Sequence, residues 1–406
     1  MATRHRSLDT MRVLHVIPAI ATRYGGPSAA VIGMCQSLRA AGINAVIVTT
    51  DADGTGRLPV EIGTLGRFRD VPTIFFRRQA TESFKWSIAL ASWLKAHVSE
   101  FDLVHVHAVF SHSSIAAGRA CRAAGVPYII RPLGTLDPWS LDRHPRRKQL
   151  LLALGGRRFL AGAHGIHYTT VAERQLAEQR LPWLPAGCVV PLGIDEEFFA
   201  SSDSARPRET PILVSMCRLH PKKRLELLID AFHRVTASGP FTSWRLDIVG
   251  DGDADYVRRL QEAAAAGPAA ARIEFRGWLS GEARRDLLAA STLFALPSNQ
   301  ENFGLALVEG MAMGLPAIVT PGVNLADDIL AAKAGWVCEG TIASLSDALR
   351  IAMTNQDMLE NHGRCARDLA GRFRWSSVAD GLRTLYEQTL RGPVSTPNDV
   401  PVAAPS

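Results

Sequence analysis

The feature that most limits the folds open to this chain is an alternation of strand-like and helix-like segments that occurs twice. In the front half, runs rich in Val and Ile alternate with stretches at helical spacing, and these runs are residues 12–18, 44–50, 102–107 and 127–131. In the back half the alternation resumes, with strand-like runs at 212–216, 245–249, 272–275, 293–296 and 316–320. Strands that alternate with helices form βαβ units and a parallel sheet. The sequence therefore predicts an α/β protein with two tandem, doubly wound, Rossmann-like domains.

The length of 406 residues suits two domains of ordinary size. A stretch with Gly, Pro, Ser and acidic residues at 191–208 marks the join, so we place the domains at 11–195 and 196–375. A last helix is predicted at 376–390, and the Pro-, Val- and Ser-rich tail 391–406 is expected to be disordered.

Several protein classes are disfavoured by composition. No apolar run approaches the roughly 18 residues of a membrane span, and the first ten residues hold no apolar signal-peptide core. The six cysteines include no C-x-x-C pair, which argues against a disulfide framework or zinc site and for a reducing compartment. We therefore expect a cytoplasmic protein.

The charge is unevenly distributed along the chain. Residues 1–195 hold 23 Lys and Arg against 13 Asp and Glu, a net +10, whereas the remainder holds 22 against 26, a net −4. A basic surface attracts nucleic acid, anionic membrane or phosphorylated substrates. Nucleic acid is disfavoured because the basic residues lack interleaved aromatics and the back half is acidic.

One stretch, 142–160, mixes leucines at helical spacing with clustered cations. It is either a core helix with a solvated cationic rim or a patch for an anionic acceptor or a membrane surface. The candidate patch residues are Arg143, Arg146, Arg147, Lys148, Arg157 and Arg158.

The densest chemical signal lies at 297–314, PSNQENFGLALVEGMAMG, directly after a strand-like run. Gly304 permits an unusual turn before a helix that begins near Leu305, and a helix N-terminus at the carboxyl end of a strand favours anions. Glu301 precedes that helix and Glu309 lies just over one turn into it. Two carboxylates beside a phosphate site suit a ligand rich in hydroxyls, although helix-capping glutamates would give the same pattern.

Two further turns follow strand-like runs. Arg218 and Lys223, in MCRLHPKK, could neutralise a diphosphate or be ordinary surface charge. Gly25 and Gly26 open the first helix and would let a ligand approach the backbone, or form a plain βα turn.

Two histidines lie on one face of the strand at 102–107. We expect His105 to be buried and structural, and His107, nearer the carboxyl end, to be functional. We find no further ligands for a metal, and we do not assign metal sites to the DxD matches 51–53 and 253–255.

Together these motifs resemble the retaining, nucleotide-sugar-dependent glycosyltransferases of family 4, which have the GT-B fold of two domains facing each other across a cleft. The resemblance rests on PSNQENFGLALVEGMAMGLPAIVT, CRLHPKKRLELLIDAF, VIPAIATRYGGPSAAV and DLVHVHAVF, and covers roughly residues 12–390. A weaker similarity, in RPLGTLDPWSL, is to bacterial exopolysaccharide and O-antigen members.

The resemblance implies roles for the back domain in binding the donor. Arg218 and Lys223 would hold the diphosphate, Glu309 the ribose, and Glu301 the hydroxyls of the transferred sugar. The backbone of Phe303, Gly304 and Leu305 would cradle sugar and phosphate, and Gly277 and Trp278 would lie by the base.

The front domain would bind the acceptor. His107 would face the sugar, Gly25 and Gly26 would close over the phosphate, and the last helix would return to this domain. The departures are Cys217 and Arg224, where the family often has glycine, and Pro-Leu-Gly at 191–193 in place of Pro-Asn-Gly.

The expected activity is transfer of a sugar from a UDP- or GDP-linked donor, with retained configuration and without metal or other cofactor. The acceptor would be a glycan or a polyprenyl-diphosphate-linked sugar at the inner membrane face, in surface polysaccharide assembly. Another sugar-nucleotide enzyme, such as a 2-epimerase, and a non-catalytic sugar-nucleotide sensor or partner subunit remain as alternatives.

Overall fold

The computed structural model describes residues 11–143, 145–200, 210–237 and 239–394, so the tail from residue 395 and residues 201–209 of the join lie outside them. The described chain forms two compact units. The first runs to Gly193 and takes in the chain again from Trp375, and the second is Ile194–Arg374.

Unit 1 contains an eight-stranded sheet and a separate two-stranded hairpin with two residues in each strand. Its strands are β1 (Arg12–Val16), β2 (Asn44–Thr50), β3 (Ala52–Asp53), β4 (Gly56–Arg57), β5 (Leu65–Phe68), β6 (Val71–Phe76), β7 (Leu103–His107), β8 (Tyr128–Arg131), β9 (Gly165–Tyr168) and β10 (Gly187–Val189). The order across the sheet is β10-β9-β8-β7-β1-β2-β6-β5, and only the edge strand β5 is antiparallel to its neighbour.

The helices of unit 1 follow its strands along the chain. They are α1 (Gly26–Ala40), α2 (Ile88–His97), α3 (His112–Ala124), α4 (Pro138–Asp142), α5 (Pro145–Leu151), α6 (Arg157–Ala161) and α7 (Val171–Arg180). Alternate strand residues, among them Leu14, Val104 and Ile130, belong to one continuous buried core.

Unit 2 has a fully parallel six-stranded sheet. Its strands are β11 (Ile212–Met216), β12 (Arg245–Val249), β13 (Ile273–Gly277), β14 (Leu293–Leu296), β15 (Ala317–Val319) and β16 (Gly335–Val337). Its helices are α8 (Glu197–Ala200), α9 (Leu225–Thr236), α10 (Ala254–Ala265), α11 (Gly281–Ala290), α12 (Leu305–Ala312), α13 (Ala326–Ala331), α14 (Ile342–Thr354) and α15 (Gln356–Gly371).

The strand order of unit 2 is β13-β12-β11-β14-β15-β16. The chain therefore builds outward from β11 in one direction and then returns to build from β14 in the other. This is the doubly wound order in which ligands bind outside the carboxyl ends of the two central strands. Unit 1 has the same reversal, between β1 and β7.

The last helix, α16 (Trp375–Arg391), belongs to unit 1 and packs against α1. Its first residue, Trp375, lies over two glycines: a Cβ built on Gly33 or Gly193 would come within 2.3 Å of the indole ring. Tyr386 is fully buried farther along the helix. These contacts fix α16 to one face of the unit 1 sheet.

The predicted fold class is confirmed, and the predicted strands 44–50, 212–216, 245–249 and 293–296 match β2, β11, β12 and β14 residue for residue. Of the two interpretations left open for 142–160, a single core helix does not match the structure. Instead, α5 passes into a π-helical turn, Leu152–Gly156, in which Gly155 has φ 131° before α6 begins. Only glycine adopts that conformation readily, so the leucine spacing continues while the backbone turns.

Candidate active site

The candidate site of unit 2 lies where its strand order reverses. β11 and β14 are adjacent, with Leu213 opposite Leu293 and Val214 opposite Phe294. The turn after β11 leads to Lys223, and the loop after β14 leads to Gly304. Since both strands are parallel, these two connections emerge at the same edge of the sheet.

An ion pair joins these two connections. Lys223 Nζ donates a hydrogen bond to Glu301 Oε2, and the lysine side chain is only 5% exposed. The backbone also links them, because Asn299 N–H donates to the Lys222 carbonyl at 2.8 Å. A buried ammonium requires a partner, and Glu301 supplies that partner at this edge.

Gly304 sets the start of α12. It has φ 78° and is the residue before Leu305, the first helical residue. No side chain caps the N-terminus of this helix. Phe303 is buried, with its ring edge-on to Phe373 at 5.4 Å between centroids. The first turn of α12 therefore presents backbone N–H groups beside the Lys223–Glu301 pair, as an anion site requires.

Glu309 lies one turn into α12 and pairs with Arg284 of α11 at 2.9 Å. Its other oxygen, Oε2, is buried and has no hydrogen-bond partner among the described residues. Burial raises the pKa of Glu309 to about 7, because desolvation outweighs the attraction of Arg284. The sequence analysis did not identify Arg284, since nothing in its own helix distinguishes it from the neighbouring Arg285.

The remaining predicted donor residues lie around these groups. Arg218 is exposed on the turn after β11, five residues before Lys223. Gly277 ends β13 with φ 64°, and Trp278 follows with 54% of its surface exposed. The roles assigned to all three stay predictions.

The turn after β11 is closely backed by the loop after β12. A Cβ built on Gly250 would lie 1.9 Å from the Cys217 carbonyl oxygen, and one on Gly252 would lie 2.0 Å from that of Leu219. Cys217, where the family often has glycine, therefore lies against a glycine of the facing loop. Asp253 is a helix cap, accepting a hydrogen bond from Tyr256 N–H at the start of α10.

In unit 1, the strand order reverses between β1 and β7, and the loops after these two strands lie at the corresponding edge. Gly25 has φ 68°, a Cβ there would meet nothing within 4 Å, and Gly26 begins α1. Tyr24 fixes this loop: its hydroxyl donates to Glu82 at 2.5 Å and accepts from Gly54 N–H at 2.9 Å. Asp51 and Asp53, the first DxD match, face arginines instead.

His107 ends β7 and lies in a buried row of histidines that the sequence analysis only half identified. His15 Nδ1 is 3.0 Å from His107 Nε2, and His167 Nδ1 is 3.1 Å from His105 Nε2. His105 Nδ1 is 2.9 Å from the Tyr386 hydroxyl, and His167 Nε2 is 2.8 Å from the Val190 carbonyl. His105 is thus buried and structural, as predicted, and it connects the sheet to α16.

The hydrogen bonds fix the protons of this row. A carbonyl only accepts, so His167 donates from Nε2 and accepts at Nδ1. His105 must then donate from Nε2 and accept from Tyr386 at Nδ1. An additional proton on His167 Nδ1 would place two donors face to face, and one on His105 Nδ1 would reverse the hydrogen bond with the Tyr386 hydroxyl. The row is therefore built for neutral imidazoles.

The surroundings oppose positive charge in the same row. Burial, and next the Arg131 guanidinium, lower the pKa of His15 and of His167 to about 3. The three nitrogens of Arg131 have no hydrogen-bond partner among the described residues. His15, His105 and His107 offer ring nitrogens within 4.8 Å of one another, as metal ligands can, but the guanidinium beside them disfavours a cation.

The six predicted patch residues make different local contacts. Arg147 donates to Ser83 at 3.0 Å, Lys148 donates to the Ser140 carbonyl, and Arg143 lies 5.0 Å from the Trp139 ring, all near loops that follow β6 and β8. Arg157 and Arg158 instead line a groove with Arg119 and Arg122. Arg146 is exposed on α5. No helix among the described residues is long and apolar enough to cross a membrane.

The neutral histidine row predicts an acid-sensitive unit 1. Since folding lowers these pKa values below the unfolded value near 6.5, the unfolded chain binds more protons between about pH 6.5 and about pH 3. The free energy of unfolding should therefore reach its full value above about pH 6.5 and decrease as the pH falls below about 6.5. In urea titrations, His167→Gln should reduce that slope by about 1.4 kcal/mol per pH unit near pH 5. His97→Gln, outside the row, is the control, and equal slopes for the two variants would contradict the prediction.

Comparison with known proteins gives the family. Residues 25–193 match the family described as glycosyl transferase 4-like domain, and residues 196–369 match glycosyl transferases group 1. A D-inositol 3-phosphate glycosyltransferase of Stackebrandtia nassauensis is 26% identical over 75% of this chain and 72% of its own length. A phosphatidyl-myo-inositol mannosyltransferase of Mycobacterium tuberculosis is 28% identical over 49% of this chain and 53% of its own length, so this match spans about half of that relative.

Solved structures share the fold at low sequence identity. HepE of Anabaena, crystallised with UDP and glucose, has a TM-score of 0.70 and 18% identity over 93% of this chain and 100% of its own. Sucrose-phosphate synthase of Thermosynechococcus elongatus has a TM-score of 0.74 and 18% identity over 94% of this chain and 99% of its own. With both halves matched, the chain belongs to the glycosyltransferases of the GT-B fold, with a 4-like domain in front of a group 1 domain.

Proposed function

We propose that this glycosyltransferase transfers a sugar from a UDP- or GDP-linked donor with retained anomeric configuration. The observation that carries the proposal is the buried Lys223–Glu301 pair beside the Gly304 turn, at the strand-order reversal of unit 2. A cation, a carboxylate and free helix N–H groups at one point match a diphosphate joined to a sugar. The UDP and glucose bound by HepE support the same class of donor.

Each group has a task on this reading. Lys223 and Arg218 stabilise the negative charge that gathers on the departing diphosphate. Glu301, released from Lys223 by the phosphates, accepts hydrogen bonds from sugar hydroxyls, and Glu309 Oε2 accepts from the ribose. We assign His107 to the transferred sugar, and the backbone of Gly25 and Gly26 to the phosphates, as the family resemblance implies.

We propose that the anomeric configuration is retained because the acceptor attacks the sugar on the face from which the diphosphate departs. Both carboxylates of the site have other tasks, Glu301 at the sugar hydroxyls and Glu309 at Arg284 and the ribose, so we assign neither as a covalent nucleophile. The departing phosphate oxygen would then take the proton of the attacking acceptor hydroxyl. With fixed cations neutralising the diphosphate, we propose that the reaction needs no metal.

The acceptor is proposed to carry phosphate. Two exposed tryptophans follow strands of unit 1 at their carboxyl edge: Trp86 stacks on His112 at 4.1 Å, and Trp139 lies under Arg143. Aromatic faces suit sugar rings and the nearby cations suit phosphate. The inositol phosphates in the names of two relatives support this acceptor chemistry. A glycan or polyprenyl-diphosphate-linked sugar at the inner membrane face, in surface polysaccharide assembly, is our proposal for its identity.

An inositol-lipid mannosyltransferase is the second candidate, because relatives of that description match the chain. The two readings share the donor chemistry and differ in the acceptor. Turnover of GDP-mannose with a phosphatidylinositol acceptor would favour the second reading, and turnover only with a polyprenyl-diphosphate-linked sugar would favour the first.

The experiment that tests the donor site is a panel of UDP-, GDP- and ADP-sugars, measured by thermal stabilisation and donor hydrolysis with and without chelator. We expect one nucleotide to stabilise the protein selectively, and the chelator to change neither readout, because the cations are part of the protein. Stabilisation lost with chelator would contradict metal independence. Selective stabilisation without donor hydrolysis would favour a non-catalytic sensor or partner subunit, and no stabilisation by any donor would contradict the donor site.

Lys223→Ala and Arg218→Ala are each expected to lower turnover by two or more decades. Loss of one charge donor to a developing oxyanion costs on the order of 3 kcal/mol, which corresponds to about a hundredfold in rate. Lys222→Ala is the matched control, since Lys222 bonds to Gln300 instead of Glu301. Single-turnover assays that show near-wild-type rates for Lys223→Ala would remove its role.

Glu309 predicts a pH dependence of nucleotide binding. Because its pKa is raised to about 7, the carboxylate that accepts ribose hydroxyls becomes populated as the pH rises through 7. Affinity for the nucleoside diphosphate, measured by calorimetry, should increase between about pH 6 and about pH 8 in the wild type and stay flat in Glu309→Gln. Glu282→Gln, on the exposed start of α11, should keep the wild-type dependence. A dependence that survives in Glu309→Gln would assign it to another group.

A further inference from the structure

We propose that the arginine-lined groove of unit 1 binds the headgroup phosphates of an anionic phospholipid bilayer and so docks the protein on a membrane surface. This site is separate from the residues assigned to sugar transfer and does not depend on the proposed reaction. We define the arginine groove by Arg119 and Arg122 of α3 and Arg157 and Arg158 of α6.

The groove has the size and charge of a headgroup site. Its volume is about 680 Å³, and Leu152, Leu154 and Gly155 of the π-helical turn also line it. All four arginines are exposed, and among the described residues none of them pairs with a carboxylate. No acidic residue occurs in the sequence from 143 to 172 or from 103 to 136. Among the described residues, the charge of the groove therefore has no carboxylate partner.

The floor of the groove is rigid. A Cβ on Gly118 would lie 2.3 Å from the Phe159 ring, so α3 and α6 touch closely at this glycine. Phe159 stacks on Tyr128 with 5.9 Å between ring centroids, and the Tyr128 hydroxyl donates to the Phe159 carbonyl at 2.6 Å. Arg122 in turn donates to that hydroxyl at 3.2 Å. The arginines are thus held on a packed scaffold, which reduces the entropy lost on binding.

Exposed apolar side chains belong to the same segment: Leu154 lines the groove, and Leu150 precedes it by four residues. Leu150 is 58% exposed and Leu154 is 66% exposed, on the two sides of the passage from α5 into the π-helical turn. Leucines that lie next to a cluster of arginines are the combination with which interfacial segments bind a membrane, the cations at phosphate level and the leucines among the acyl chains. A soluble phosphate ligand would give the leucines no such partner, so we commit to the bilayer.

The location separates this groove from the candidate active site. Its floor contacts Tyr128, the first residue of β8, whereas the site residues of unit 1 follow the last residues of parallel strands. The groove therefore opens toward the amino end of the sheet, the edge opposite to the one where doubly wound domains bind substrates. A membrane held there leaves the carboxyl edge of unit 1 free.

The test is flotation of the full-length protein with vesicles of phosphatidylcholine alone or with about one third phosphatidylglycerol. The wild type should float with the anionic vesicles, not with the neutral ones, and salt should release it. Arg119→Glu with Arg158→Glu should lower the bound fraction at least about tenfold. Arg67→Glu with Arg234→Glu changes the net charge equally on other exposed surfaces and should bind as the wild type does.

Two further variants complete the design. Leu150→Ser with Leu154→Ser should weaken binding to anionic vesicles several-fold while all four arginines remain. If the charge-reversed groove variant does not fold, as judged by its melting temperature, Arg119→Gln with Arg158→Gln replaces it. Donor turnover is measured in the same samples, so failure of the membrane site and failure of the transferase proposal are told apart.

Three outcomes would overturn the inference. The first is a wild type that does not float with anionic vesicles. The second is equal loss of binding in the groove variant and in the charge-matched control, which would indicate overall charge instead of a site. The third is groove-dependent thermal stabilisation by pyrophosphate without vesicle binding, which would assign the groove to a soluble phosphate ligand.

Discussion

Both units depend on one constraint of doubly wound parallel sheets. A chain that builds strands outward from its first strand, and then returns to build from the other side, leaves two connections that diverge at the carboxyl edge. In unit 2 those connections carry opposite charges, Lys223 after β11 and Glu301 after β14. The ion pair between them joins the two connections at this edge. The same reversal in unit 1 places the Gly25 loop and His107 at one edge. The position of the candidate site in each unit therefore follows from the strand order, and the side chains determine only its chemistry.

The sequence predicted several strands whose own residues determine them, although the buried strands β6 and β9 were not predicted. Runs such as 212–216 and 293–296 are buried on both faces, so continuous apolar composition identified them to the residue. The edge strand β5 was missed because Leu65–Phe68 includes Gly and Arg and is mostly exposed. The turn at Gly155 was missed because leucine spacing reports a helical face and is insensitive to one residue with positive φ.

The candidate site divides in the same way. Glu301, Lys223 and Gly304 were found because each belongs to a local motif after a strand. Arg284 and His15 were not found, since their significance comes from partners 25 and 92 residues away in the sequence, Glu309 and His107. Long-range pairing depends on which helices and strands become neighbours, and a single sequence does not encode that in any local pattern. The groove arginines of α3 were missed for this reason also.

In unit 1, two groups of cations lack carboxylate partners among the described residues. At the carboxyl edge, Arg147 and Lys148 bond to neutral oxygens of loops, which leaves their charge available to an anionic acceptor. At the arginine groove, four guanidiniums share a surface with two exposed leucines and no carboxylate partner. Like charges that share one groove repel each other, so an external anion bound there would be stabilising. One basic stretch of sequence thus supplies two surfaces of different chemistry, because the backbone turns at Gly155 between them.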